Sequence, residues 1–144
     1  MQPYPHIYKV TATGAATGIV PVTALNLPTL NTAPPVEFGG PGDLWSPESL
    51  LCAAVADCFI LTFRAVARAS KIEWSQLSCD VSGTLERVEG ESRFTKFITH
   101  VTLNVSAGID EARCRQALEK AERGCLVANS LRAERTLEIN IKII

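Results

Sequence analysis

The sequence has no surplus of either charge, with 14 basic against 15 acidic residues and a net charge of −1. The basic residues are spread along the chain, so it lacks the electrostatic footprint of a nucleic-acid or anionic-membrane binder. Acidic and basic tails, internal repeats and low-complexity linkers are also absent. The opening MQPYPHIYKV has neither a basic segment nor an apolar one, which gives no sign of a signal peptide and leads to the expectation of a cytoplasmic protein. With 144 residues and 47% hydrophobic content, there is room for one domain, residues 1–144, and none for a second.

No CxxC pair occurs, and His6 and His100 stand far from any cysteine pair at ligand spacing, so a metal site is not expected. The five cysteines, at 52, 58, 79, 114 and 125, are odd in number and lack a secretory context, which argues against a disulfide framework. At least one thiol must be free. A redox or nucleophilic cysteine among structural ones is the reading that remains, since a buried cysteine usually serves as a small apolar residue.

What the chain does have is a long apolar stretch, Ser46 to Ser70. Ser46 suits an N-cap, Pro47 the first helical position, and Glu48 sets negative charge against the positive end of the helix dipole. From Leu50 to Ala67 the run is almost continuously apolar, so the helix is expected to be buried on most sides. Asp57 and Arg64 inside it, with well-formed strand patterns on either side, argue against a membrane span.

Around this helix the patterning is that of strands. Residues 7–13 and 19–27 read as an opening hairpin, with Pro21 placing its strand at an edge or an irregular start. Residues 28–45, rich in Pro and Gly, read as an ordered loop or short strand feeding the helix. Leu77, Cys79, Val81 and Leu85 alternate with polar residues, as do Phe97, Thr99, Val101, Leu103 and Val105, and the turn at Glu89-Gly90-Glu91 makes the two runs an antiparallel hairpin. His100 falls on the solvated face. Asp110 to Glu122 forms a second helix with the stripe Cys114, Leu118, Ala121 and then Cys125. Gly124 breaks it, CLVANSL supplies a further turn, and residues 137–143 close the chain as a strand. This order predicts an α+β domain with an antiparallel sheet.

For a reactive thiol, the residues favour Cys125, which follows Arg123 at the start of a short helix. Cys58 lies mid-helix beside Asp57, whose side chain points about 100° away. On these grounds alone Cys58 reads as structural.

The pattern FGGPGDLWSPESLLCAAVADCF, followed by AERGCLVANSL, resembles the OsmC/Ohr family of osmotically inducible and organic-hydroperoxide-resistance proteins, and the resemblance covers essentially the whole chain. It implies an OsmC-like fold, antiparallel sheets packed around a long buried central helix in an intertwined cytoplasmic homodimer. The implied activity is that of a cysteine-based peroxidase: thiol-dependent reduction of organic hydroperoxides in defence against oxidative stress, without cofactor or metal. By position, Cys58 corresponds to the peroxidatic cysteine, Cys125 to the resolving cysteine, and Glu48 to part of the surrounding hydrogen-bond network, with an external dithiol as reductant.

Glu48 and Cys58 are separated by about 15 Å along one helix and face differently, so Glu48 is expected to serve Cys58 of a second subunit. Family members with hydroperoxide activity carry an arginine in the N-terminal strand region. Here TGAATG offers Ala15 and Ala16, and no arginine occurs from Ile7 to Gly42. Leu126 stands where many relatives have proline. The alternative reading is an OsmC-like homodimer without turnover that binds a small hydrophobic ligand or senses oxidants.

Overall fold

The computed structural model describes all residues, Met1 to Ile144, and the chain divides into two compact units, Met1–Leu50 and Leu51–Ile144. In the first, strands β1 (Thr11–Ala12), β2 (Val20–Thr23) and β3 (Leu30–Thr32) form an antiparallel sheet in that order. The opening hairpin is present but shorter than the patterning suggests: Ile7, Tyr8 and Val10 are exposed and unpaired in any strand.

Pro21 does not sit on an edge, because β2 is the central strand. Its carbonyl accepts from the Thr13 N–H at 3.2 Å, so the position without an N–H faces the β1 side. There the ladder stops, which accounts for a β1 of only two residues. After β3 the Ala33 N–H donates to the Trp45 carbonyl, closing the loop on itself, and Val36–Phe38 makes a single 3₁₀ turn.

The long helix α1 runs from Pro47 to Ala69. Its start is a reciprocal cap: Ser49 N–H donates to Ser46 Oγ at 3.1 Å, and Ser46 N–H donates to Ser49 Oγ at 2.9 Å. The expectation of burial on most sides does not hold within one chain. Only Val55, Phe59, Phe63 and Ala67 are buried, a single stripe at every fourth position, and Leu61 is 51% exposed.

In the second unit, β4 (Gln76–Val88) and β5 (Glu91–Val105) form a long hairpin closed by Glu89 and Gly90, both at positive φ as a tight two-residue turn requires. Helices α2 (Glu111–Gly124) and α3 (Leu126–Asn129) follow, then β6 (Glu134–Ile143). This sheet is mixed rather than antiparallel. β6 lies parallel to β5, since the helical crossover returns the chain to the end of the sheet where β5 began.

The core joins Phe59, Phe63 and Ala67 of α1 with Leu77, Val101, Leu103 and Val105 of the sheet and Cys114, Ala117, Leu118 and Ala121 of α2. Phe63 meets Trp74 edge-on, with centroids 5.3 Å apart. Each fully buried phenylalanine contributes about 2–3 kcal/mol. Leu85 drops out of the expected inward set because a bulge between Thr84 and Leu85 shifts the register, leaving it 40% exposed.

Gly83 marks a close approach of β4 to α1. A Cβ there would lie 2.9 Å from Cys52 Sγ and from a ring carbon of each of Phe94 and Phe97. The two rings are stacked at 5.2 Å and have little freedom to yield. We therefore expect Gly83→Ala to lower stability by about 1–3 kcal/mol in urea unfolding. A neutral result would mean that the hairpin shifts freely against the helix.

Candidate active site

Cys58 and Cys125 lie in one small cluster, where Cys58 packs with Val55, Val81, Val127 and Leu131 around Cys125 and Ala128. Both thiols are free. Cys58 is half-buried on α1. Thr62, one turn on, donates its hydroxyl to the Cys58 carbonyl at 2.7 Å, which leaves its oxygen lone pairs facing Cys58 Sγ at 3.9 Å. Thr62 escaped the sequence reading, although its spacing of four residues from Cys58 could have revealed it. Asp57 is exposed, as adjacent positions on a helix require.

Cys125 ends α2 and starts α3, with φ −68° and ψ 100°. Gly124 does not break α2 but is its last residue. A Cβ at Gly124 would meet Thr62 Cγ2 at 3.4 Å, so the end of α2 lies directly against α1 one turn from Cys58. The expectation of an activated Cys125 is overturned. Burial pushes its thiol up to about 11, an Ala128 N–H opposes this, and the neighbouring Cys58 sulfur raises it further. Arg123 is exposed and does not offset that burial. Burial likewise raises Cys52, partly offset by the Gly83 N–H, and it raises Cys114; Cys79 reaches about 12, with Asp80 and Glu122 adding to the effect of burial.

The turn that carries Cys125 is held by Arg135 of β6. Its Nε donates to Glu122 Oε1 at 2.8 Å, one terminal nitrogen to Asn129 Oδ1 at 2.7 Å, and the other to the Glu122 carbonyl. Asn129 Nδ2 in turn donates to the Arg123 carbonyl at 3.0 Å. One guanidinium thus joins residues on both sides of Cys125. Nothing in the sequence selects Arg135, because it acts across the crossover.

Glu48 lies in the first turn of α1 within the N-terminal unit. Its Oε2 is out of contact with solvent and has no hydrogen-bond partner. His100 pairs with Glu138 at 3.2 Å on the exposed face of the sheet, in keeping with a solvated strand residue.

Residues 40–140 match the family model described as OsmC-like protein. The chain belongs to the OsmC-like family. It is 33% identical over 101 residues to the organic hydroperoxide resistance protein of Xanthomonas axonopodis pv. citri (strain 306), with 68% of each chain covered. It is 29% identical over 114 residues to the uncharacterized protein YmaD of Bacillus subtilis (strain 168), with 76% of each covered. The crystal structure of an organic hydroperoxide resistance protein OsmC from Legionella pneumophila superimposes with a TM-score of 0.74 at 25% identity, covering 96% of this chain and 100% of that one. The α+β arrangement of two small sheets and helices is therefore that of OsmC-like proteins. The family is associated with organic hydroperoxide resistance.

Two measurements follow for this OsmC-like site. Arg135→Ala should destabilise the protein by about 2 kcal/mol, since it leaves Glu122, 16% exposed, without its cation. The second concerns pH. Cys79 and Cys125 rise from an ordinary 9.0 to about 12 and about 11, so the unfolded chain loses these protons first. The stability these two thiols contribute is full below pH 9 and is lost as the pH rises through about 11–12. In thermal melts over that window, Cys79→Ala should flatten the fall in midpoint; an unchanged slope would show that the Cys79 thiol titrates freely when folded.

Proposed function

We propose that this OsmC-like protein reduces organic hydroperoxides by thiol chemistry, with Cys58 as the peroxidatic and Cys125 as the resolving cysteine. The observation that supports this reading most is the packing of the two free thiols in one cluster. The Cys58 thiolate attacks the terminal peroxide oxygen, the O–O bond breaks, and the alkoxide leaves as the alcohol after taking a proton. Cys58 is left as a sulfenic acid. Cys125 then attacks that sulfur, water departs, and the disulfide forms; an external dithiol reduces it back to two thiols. A thiol pushed up to about 11 is protonated at neutral pH, which disfavours Cys125 as the thiolate of the first step; in the second its proton leaves with the departing hydroxide as water.

The working unit in this reading is a cytoplasmic homodimer of single OsmC-like domains, residues 1–144, in which Glu48 of one copy serves Cys58 of the other. Two features favour it. α1 buries a single stripe and leaves Leu61 exposed, and Tyr4, Ile7, Tyr8 and Val10 stand exposed at the N-terminus.

Treatment with one equivalent of cumene hydroperoxide and peptide mass spectrometry tests the chemistry. We expect the loss of two hydrogens and a Cys58–Cys125 link, none in Cys58→Ser, and a stalled sulfenic or sulfinic acid in Cys125→Ser. A Cys58 that stays reduced in the wild type would refute the assignment. Light scattering should give twice the 15.6 kDa chain mass, and a monomer at all concentrations would remove the shared site.

A further inference from the structure

The second unit holds an open cavity of about 550 Å³ between the end of α1 and the exposed side of α2. That volume lies within the usual range for small-molecule sites, roughly 300–1,000 Å³. Its charged walls are all of one sign: Lys71, Arg113 and Lys120 line it together with Gln116, and no acidic residue does. Ile72 and Ala117, both buried, give it an apolar floor. None of the three cations is paired with a carboxylate, although the chain has more acidic than basic residues. The acids nearest in sequence are engaged or lie outside the cavity. Asp110 accepts from the Arg113 N–H at 3.2 Å, Glu119 lines a separate cavity with Arg123 and Arg135, and Glu73 and Glu111 are exposed and not among the lining residues.

Two of the cations are set in place by the backbone. Arg113 donates from one terminal nitrogen to the Ser70 carbonyl at 2.6 Å, which leaves its other donors for a ligand. Lys71 stands at φ 55°, an uncommon conformation for a residue with a side chain, and is fixed there by the bonds from its own N–H to the Arg68 carbonyl and from the Ile72 N–H to the Ala67 carbonyl. The negative end of α1 amounts to about half a charge, and its carbonyls are occupied by these bonds, by the Ser70 N–H on Val66 and by Arg113. Arg113 lies in the first turn of α2, whose positive end opposes that half charge. Three unit charges against a fraction of one leave the cavity positive. A carboxylate brings one charge to three cations. A phosphate monoester brings roughly 1.5–2 charges and three strong acceptor oxygens, which suit a planar guanidinium and two ammonium groups.

We propose that this cavity binds a small organic phosphate monoester, with the phosphoryl group between Lys71, Arg113 and Lys120 and the organic body over Ile72 and Ala117. The site uses neither the cysteines nor Glu48, so it stands whether or not the hydroperoxide reading holds. Full-length protein is titrated by calorimetry with phenyl phosphate, and with benzoate, benzyl alcohol and inorganic phosphate as controls for charge, body and head group.

Saturable binding is expected for phenyl phosphate, more tightly than for any of the three controls. Lys71 and Lys120 are exposed and their side chains hold nothing in the fold, so both are replaceable without unfolding. The double variant Lys71→Gln/Lys120→Gln should weaken phenyl phosphate roughly tenfold or more. Arg87→Gln/Lys142→Gln removes the same charge from exposed positions outside the cavity and should leave binding unchanged. Arg113→Lys keeps the charge but not the fork and should weaken binding severalfold. The proposal is overturned if the wild type shows no saturable binding of phenyl phosphate, or if benzoate or inorganic phosphate binds as tightly. It is equally overturned if the Lys71/Lys120 variant binds as the wild type does, or if the Arg87/Lys142 variant loses as much, which would mark a diffuse effect of net charge.

Discussion

The arrangement of the second unit depends on one stripe of α1, Val55, Phe59, Phe63 and Ala67, which returns to the same face every fourth residue. Phe59, Phe63 and Ala67 fix α2 through Leu118 and Ala121, and they fix the sheet through Leu77, Val101 and Leu103. Val55, the first residue of the stripe, belongs instead to the cluster around Cys125. Cys58 lies one position before Phe59, so it faces the border of the stripe rather than its centre. The end of α2 is packed against Thr62, and the chain must turn at Cys125 to enter α3. The meeting of the two sulfurs follows from packing that continues well beyond them.

Burial that serves packing works against thiol chemistry. A desolvated thiol keeps its proton, and Cys79 and Cys125 show the effect most strongly. Cys125 is held still by the Arg135 clamp, which joins Glu122 and Asn129 on either side of it. The clamp is built from directional, charge-assisted bonds, which hold a turn in place where four helical residues could not do so alone.

Periodicity made most of the second unit legible. The alternation through Leu77, Cys79 and Val81 and through Phe97 to Val105 survives as the inner face of a sheet, and the cap at Ser46 is present. What periodicity could not convey was order in space. It gave no means of telling that β6 would join β5 in parallel, or that Pro21 would sit in a central strand whose neighbour ends beside it. The bulge at Leu85 changes which face a residue occupies while leaving the written pattern intact. At the site, a helix start and a nearby arginine favour an activated Cys125 on local grounds, whereas the burial that raises its thiol comes from residues distant in sequence. Arg135 was invisible for a simpler reason: its partners are brought to it only by the fold.

Apolar surface remains unspent in both units. α1 is long and apolar enough to cross a bilayer, yet its buried residues pack into a protein core, and Asp57, Arg64 and Arg68 on its open faces would be costly in lipid. Those faces also carry Leu61, and the N-terminal unit exposes Tyr4, Ile7, Tyr8, Val10, Leu25 and Phe38. Scattered apolar residues on a surface need no explanation, but a run of them along an N-terminal segment and a helix covered on one stripe do. Lipid would leave the charges of α1 unsolvated, whereas a protein surface can cover the apolar positions and leave the charges at its rim. The same reasoning applies to Glu48: a buried carboxylate oxygen without a donor is costly, and no group within the chain relieves it.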